Sequence, residues 1–145
     1  MATGTQLRTM SEHRLKEAQV LYDNQLYSGS YYLAGYAIEF GLKSVICKRL
    51  GVDIFENDAL NGQGKAVKEA TKAFQIHNIP ALVLLSGLYP DLEEKRLVEV
   101  DFFVSWNVVS SWTEQRRYDC DCNPQTANNF LKQVKKFMQW IETYW

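Results

Sequence analysis

Little in this chain serves for covalent stapling, for holding a metal or for spanning a membrane. The 145 residues include three cysteines, so Cys47, Cys120 and Cys122 cannot all pair within one molecule. Cys120 and Cys122 stand one residue apart, closer than the ligand pairs of structural zinc, which needs four donors. Cys47, His13 and His77 would have to complete such a set, and all lie far away in sequence. No metal and no cofactor is expected. A cysteine nucleophile would need a histidine beside it, which no spacing here supplies. Gly62-Gln-Gly-Lys65 lacks the spacing of a Walker loop and the Ser or Thr that follows it.

Charge of one sign is also missing. The formal net charge is -1, so no global positive field gathers nucleic acid by counterion release. Local basic clusters remain, Arg116-Arg117 and Lys132, Lys135 and Lys136, and a solvated helix face is the expectation for the lysines. The N-terminal MATGTQLRTM has no apolar signal core. The most apolar run, Tyr31 to Ile46, carries Glu39 and Lys43 near its middle. At a bilayer centre each charge would cost roughly 3 kcal/mol, so the run reads as a core helix. No membrane partner and a reduced, cytoplasmic setting are expected.

What is present is helical periodicity, read as one all-α domain over 11–145 behind an N-terminal tail over 1–10. Thr9-x-x-Glu12 has the form of a capping box, placing a first helix near Thr9 to Asn24 with Leu15, Ala18 and Tyr22 on one face. The second helix, capped by Ser28 or Ser30, carries Tyr32, Gly35, Ile38, Leu42, Val45 and Ile46 in a stripe. Ala34, Tyr36, Ala37 and Phe40 widen it, which places this helix centrally. Gly51 suits a left-handed C-cap. Val52 to Gly64 reads as a loop and Lys65 to Phe74 as a short helix. Asn78 and Pro80 open a short buried helix ending near Gly87. Asp91-x-x-Glu94 opens a long one to Trp112, with Leu97, Val100, Phe103, Val104 and Val108 at helical spacing. After a turn at 116–123, Asn123-Pro124 starts the last helix, with Ala127, Phe130, Leu131, Val134, Phe137, Met138 and Ile141 inward. About five helices in an antiparallel up-and-down bundle are expected.

Glu39 and Lys43 share a helix face at i and i+4 with Glu in the favoured N-terminal place. Their apolar flanks threaten burial, where an unpaired charge is costly, and Arg117 is the expected counter-charge. The pair is read either as a structural ion pair or as the wall of a polar cleft. Trp106, Trp112 and Trp140 are expected in the core and Trp145 at an interface.

The run Tyr31-Tyr-Leu-Ala-Gly-Tyr-Ala-Ile-Glu-Phe-Gly-Leu-Lys43 resembles the central helix of HEPN domains (higher eukaryote and prokaryote nucleotide-binding). Arg14, Ala18 and Leu21-Tyr22 before it, His77 opening an apolar helix, and Trp112 followed by Arg117-Tyr118 fit the same family. The resemblance spans about Ser11 to Ile141. It implies a helical bundle, often a homodimer, encoded beside a minimal nucleotidyltransferase in a toxin–antitoxin-like pair. Many such proteins are ribonucleases using an Arg followed four to six residues later by His near the C-terminal helix. Here no histidine follows Arg116-Arg117. Arg8 and His13 match that spacing only at the N-terminus.

The resemblance therefore implies a non-enzymatic member that binds a nucleotide or a nucleotidyltransferase partner. Glu39, Lys43, Arg117 and Tyr118 would converge in one cleft, with Lys43 and Arg117 on phosphate and Tyr36 stacking a base. A degenerate ribonuclease or RNA-binding toxin, and a helical interaction module with no small-molecule site, are the alternatives.

Overall fold

The computed structural model describes residues 2–56 and 64–145, with the backbone alone for 64–67. Seven α-helices occur among them: α1 (Gly4–Asp23), α2 (Tyr27–Leu50), α3 (Gly64–Lys72), α4 (Ile79–Leu85), α5 (Tyr89–Val98), α6 (Val100–Val109) and α7 (Pro124–Glu142). A 3₁₀ turn, Glu114–Tyr118, precedes α7, and no strand is present among the described residues. Gly62 and Gln63, and most of the expected 52–64 loop, lie outside the described residues. No described helix is long and apolar enough to cross a membrane.

The first helix starts at Gly4 rather than near Thr9, so residues expected as a tail are helical. Thr3 caps it: its hydroxyl accepts from Gln6 N at 3.2 Å while the Gln6 side chain accepts from Thr3 N at 2.9 Å. The reciprocal bonds satisfy orphan donors of the first turn, and the early start lets Gly4 and Leu7 join Ser11 and Ala18 on the buried face. Helix α2 begins at Tyr27 with no side-chain cap, ahead of Ser28 and Ser30. Its expected end at Gly51 stands, with φ 68° in the left-handed region that glycine enters without a Cβ clash.

Helix α2 is buried around nearly its whole circumference from Ala34 to Cys47, so its backbone and polar side chains must find partners inside the bundle. Helix α1 supplies them running antiparallel: Ser11 Oγ donates to Ala37 O at 2.6 Å, Ser30 Oγ donates to Ala18 O at 2.7 Å, and Arg8 Nε donates to Ser44 Oγ at 3.1 Å. Helix α7 packs on α2 in parallel. Tyr31 stacks on Phe130 at one end, and Trp145 Nε1 donates to Gly41 O at 3.4 Å nearer the other. The expected inner residues of α7 are all buried, under an Asn123 cap whose side chain accepts from Thr126 N at 2.7 Å.

The long helix expected from Asp91 to Trp112 is two. Helix α5 begins at Tyr89 with Pro90 in its first turn, and Glu99 breaks the run in extended backbone (φ -120°, ψ 110°). On one continuous helix Leu92 and Phe102 would point about 80° apart. The break lets both face the core, with Ser105 and Val109 following Phe102. The apolar stripe read from the sequence turns outward instead: Leu97 is 76% exposed, Val100 78%, Phe103 40% and Val104 41%.

Gly35 fixes one further close approach. A Cβ there would fall 2.0 Å from Trp112 Cε2, so the buried indole lies directly on the α2 backbone. Gly35→Ala is expected to lose about 1–3 kcal/mol through overpacking, read as a lower urea midpoint at constant slope. A Gly35→Ala protein as stable as the parent would remove Trp112 from this face of α2.

Candidate functional site

The polar residues of α2 gather where the segment before α4, the loop after Gly51 and the 3₁₀ turn meet that helix. Glu39 is 1% exposed and Lys43 7%, and Lys43 Nζ donates to Glu39 Oε1 at 2.7 Å. The ammonium also lies 5.3 Å from the centre of the Phe55 ring, a cation–π contact that offsets part of its lost hydration. The i, i+4 spacing read from the sequence thus becomes a buried ion pair.

The second partner of Glu39 is His77, not the expected Arg117. His77 Nδ1 lies 2.9 Å from Glu39 Oε1, and its side chain is 46% exposed. A carboxylate oxygen facing a ring nitrogen at this distance accepts its proton, so Nδ1 is the donor and Nε2 is the nitrogen left out of this bond. Asn78 holds this segment in place by capping α4, its side chain accepting from Ala81 N at 2.9 Å. Sequence reasoning placed His77 at the head of a helix but not in the site. Thirty-eight residues separate it from Glu39, and nothing in local periodicity joins them.

Above the ion pair sits an aromatic wall. Tyr36 meets Tyr32 edge-on at 5.0 Å, Trp112 edge-on at 5.1 Å, Phe40 at 5.6 Å and His77 at 6.3 Å. Burial, then its neighbours Tyr32 and Glu39, push the Tyr36 phenol well above the usual tyrosine range, while the Arg117 guanidinium pulls the other way. The phenol therefore stays protonated at neutral pH, with Tyr32 as its hydrogen-bonding neighbour. Its ring is half-buried among four others, which leaves little free face for a stacked base.

Of the five residues expected to converge, Tyr36, Glu39 and Lys43 come together. Arg117 and Tyr118 stand outside that contact set, exposed on the 3₁₀ turn, with the Arg117 guanidinium 5.0 Å over the Tyr118 ring. Arg117 acts on the cluster through its charge rather than by touching Glu39. Lys43 is committed to Glu39, so the phosphate contact expected of it is not what its geometry provides.

Two buried atoms at this place have no hydrogen-bond partner among the described residues: Glu39 Oε2 and Trp112 Nε1. The first is an acceptor and the second a donor, on a carboxylate and an indole each 1% exposed. A buried polar atom without a partner costs about 1–3 kcal/mol, so both count against stability as they stand. Among the described residues no three His, Cys, Asp or Glu side chains gather as a metal site. No protein-family model, curated protein or solved structure matches the chain.

Lys43→Met leaves the Glu39 carboxylate buried with only His77 beside it. We expect a loss of about 3–5 kcal/mol in urea unfolding, against a much smaller loss, or none, for Glu39→Leu combined with Lys43→Met. A double variant no more stable than Lys43→Met alone would show that the two charges are not coupled.

Proposed function

We propose that this chain is a non-enzymatic HEPN-type module that binds a nucleotide, or a nucleotidyltransferase partner, at the α2 cleft and that it self-associates. The observation supporting the first part is the second oxygen of Glu39, which has no hydrogen-bond partner among the described residues, on a carboxylate bordered by the half-exposed His77. A carboxylate already neutralised through one oxygen is suited to accept an N–H from a base edge through the other. Arg117 supplies a fixed fork of donors for a phosphate, and its planar guanidinium holds such a group better than a lysine.

The Glu39–His77 pair also favours a second reading, a degenerate ribonuclease. A histidine oriented by a carboxylate at one nitrogen presents the other as a general base. It stands on a different element from the arginine-to-histidine motif that the family's nucleases use.

One experiment addresses both readings: thermal melts with ATP, GTP and a short RNA, for the parent and Arg117→Ala. A ligand at about a hundred times its dissociation constant adds roughly 2.7 kcal/mol, several degrees for a domain of this size. We expect a shift in the parent that Arg117→Ala abolishes, with the RNA recovered intact. A shift that survives the substitution would remove Arg117 from the site. Cleaved RNA without added metal would replace binding by catalysis through His77.

Self-association is supported by the exposed stripe on α5 and α6. Val100, Phe103 and Val104 recur at i, i+3 and i+4, the geometry by which two helices pair, and Leu97 and Val98 extend the stripe across the break. Its flanks carry both signs, Lys95 paired with Glu99 at 3.0 Å and Arg96 with Glu93 at 2.7 Å. A mixed rim is self-complementary across a two-fold axis, whereas a rim of one sign would call for an oppositely charged partner. Sedimentation velocity is expected to show a dimer that Val100→Ser with Phe103→Ser converts to monomer. A parent protein that stays monomeric at high micromolar concentration would sink this part.

A further inference from the structure

The outer face of α7 carries a second feature, separate from the α2 cleft and independent of how that cleft is used. Lys132, Lys135 and Lys136 project from little more than one turn of helix. They line a cavity of about 320 Å³ that α7 forms with α1, together with Asn128 and Gln139. No carboxylate lines it, and none of the three ammonium groups makes an ion pair among the described residues. The chain has 17 acidic residues to 16 basic ones, and α7 carries no acidic residue before Glu142; the nearest carboxylates, Glu12 and Glu142 by Lys135 and Glu99 and Asp101 by Lys136, line the adjoining cavities instead.

A solvated helix face ordinarily alternates its charges, since opposite signs at i and i+4 support the helix and like signs oppose it. Lys132 and Lys136 stand at i and i+4, and Lys132 and Lys135 at i and i+3, so α7 is destabilised by its own surface. Lys135 is also held in place. It donates to Gln19 Oε1 across the groove, and Gln19 in turn donates from Nε2 to Asp23 Oδ1 at 2.8 Å, which fixes the way its amide faces. One ammonium group is thereby positioned at the cavity rather than left to wander in solvent.

We propose that this groove binds the phosphate groups of a polyanion. Three ammonium groups within one turn match the charge density of successive phosphates, and lysine holds phosphate as a point charge without demanding one geometry. The side-chain amides of Asn128 and Gln139 add neutral donors. No aromatic side chain lines the cavity, so it reads phosphates and not bases, and its ligand is recognised by charge alone. Inorganic polyphosphate and a nucleic-acid strand share that chemistry.

The test titrates tripolyphosphate and a ten-nucleotide oligothymidylate into the parent, into Lys132→Gln with Lys136→Gln, and into Arg117→Ala, over a range of salt. The parent is expected to bind at least one probe. For the oligonucleotide, three phosphate contacts give a slope of log affinity against log salt near about -2, falling toward about -0.7 in the double variant. Affinity for the bound probe should drop tenfold or more in the double variant and stay unchanged in Arg117→Ala, which separates the groove from the cleft. Removing the like-charge pair should leave the melting temperature of the double variant equal or higher, so lost binding is not lost folding. Binding of tripolyphosphate alone assigns the groove to small phosphates, and binding of the oligonucleotide alone assigns it to a strand. Binding of neither probe, or equal binding by parent and double variant, overturns the proposal.

Discussion

A helix enclosed on all sides has to satisfy its polar groups from within the bundle, and α2 carries a carboxylate and an ammonium along with its serines. That constraint organises much of the molecule. The serine hydroxyls Ser11 and Ser30 lock α1 and α2 in antiparallel register. The Glu39–Lys43 pair draws in Phe55 from one side and His77 from another. Because Gly35 has no side chain, Trp112 closes the remaining face. An apolar pair of similar volume at 39 and 43 would satisfy the same space without the desolvation penalty, so stability alone gives no reason for two buried charges.

The parts legible in the sequence were those set by local chemistry. Gly51, Asn78 and Asn123-Pro124 each mark a helix end through a conformation or a hydrogen bond that the residue itself makes, and all three stand where expected. The amphipathic face of α7 and the all-round apolarity of α2 follow from spacing alone. The first helix shows where local signals compete. Thr3-x-x-Gln6 and Thr9-x-x-Glu12 both fit a capping box, and the earlier one wins because Gly4 and Leu7 gain burial from the added residues.

The remainder depends on tertiary geometry. No Gly or Pro marks the break at Glu99, because it serves the orientation of Leu92 relative to Phe102 and not any preference of Glu99 itself. That break also decides which face of α6 is inward, so the stripe with correct helical spacing faces outward. The site shows the same division. Glu39 and Lys43 are neighbours on one helix and were read as a pair, whereas His77 reaches Glu39 only through the fold. Arg117 is the counter-charge expected from the sequence, and the half-exposed His77 imidazole takes that position instead.

Where local rules are broken without an evident gain to folding, function is the usual reason. Three such places occur here, and they differ in kind. Glu39 Oε2 is a buried acceptor with no donor among the described residues, the α5–α6 stripe is exposed apolar surface, and the α7 lysines are like charges set side by side. Each calls for a different complement: an N–H group, an apolar face and an anion. A plain interaction module would need only the second, and a nucleotide in the α2 cleft would answer only the first. The three proposals, a ligand at Glu39, a second copy on the α5–α6 stripe and a polyanion at the α7 lysines, rest on separate observations, so each stands or falls by itself. The buried ion pair of α2 is the fixed point of the first of them, because Lys43 holds one oxygen of Glu39 and His77 borders it from a separate segment.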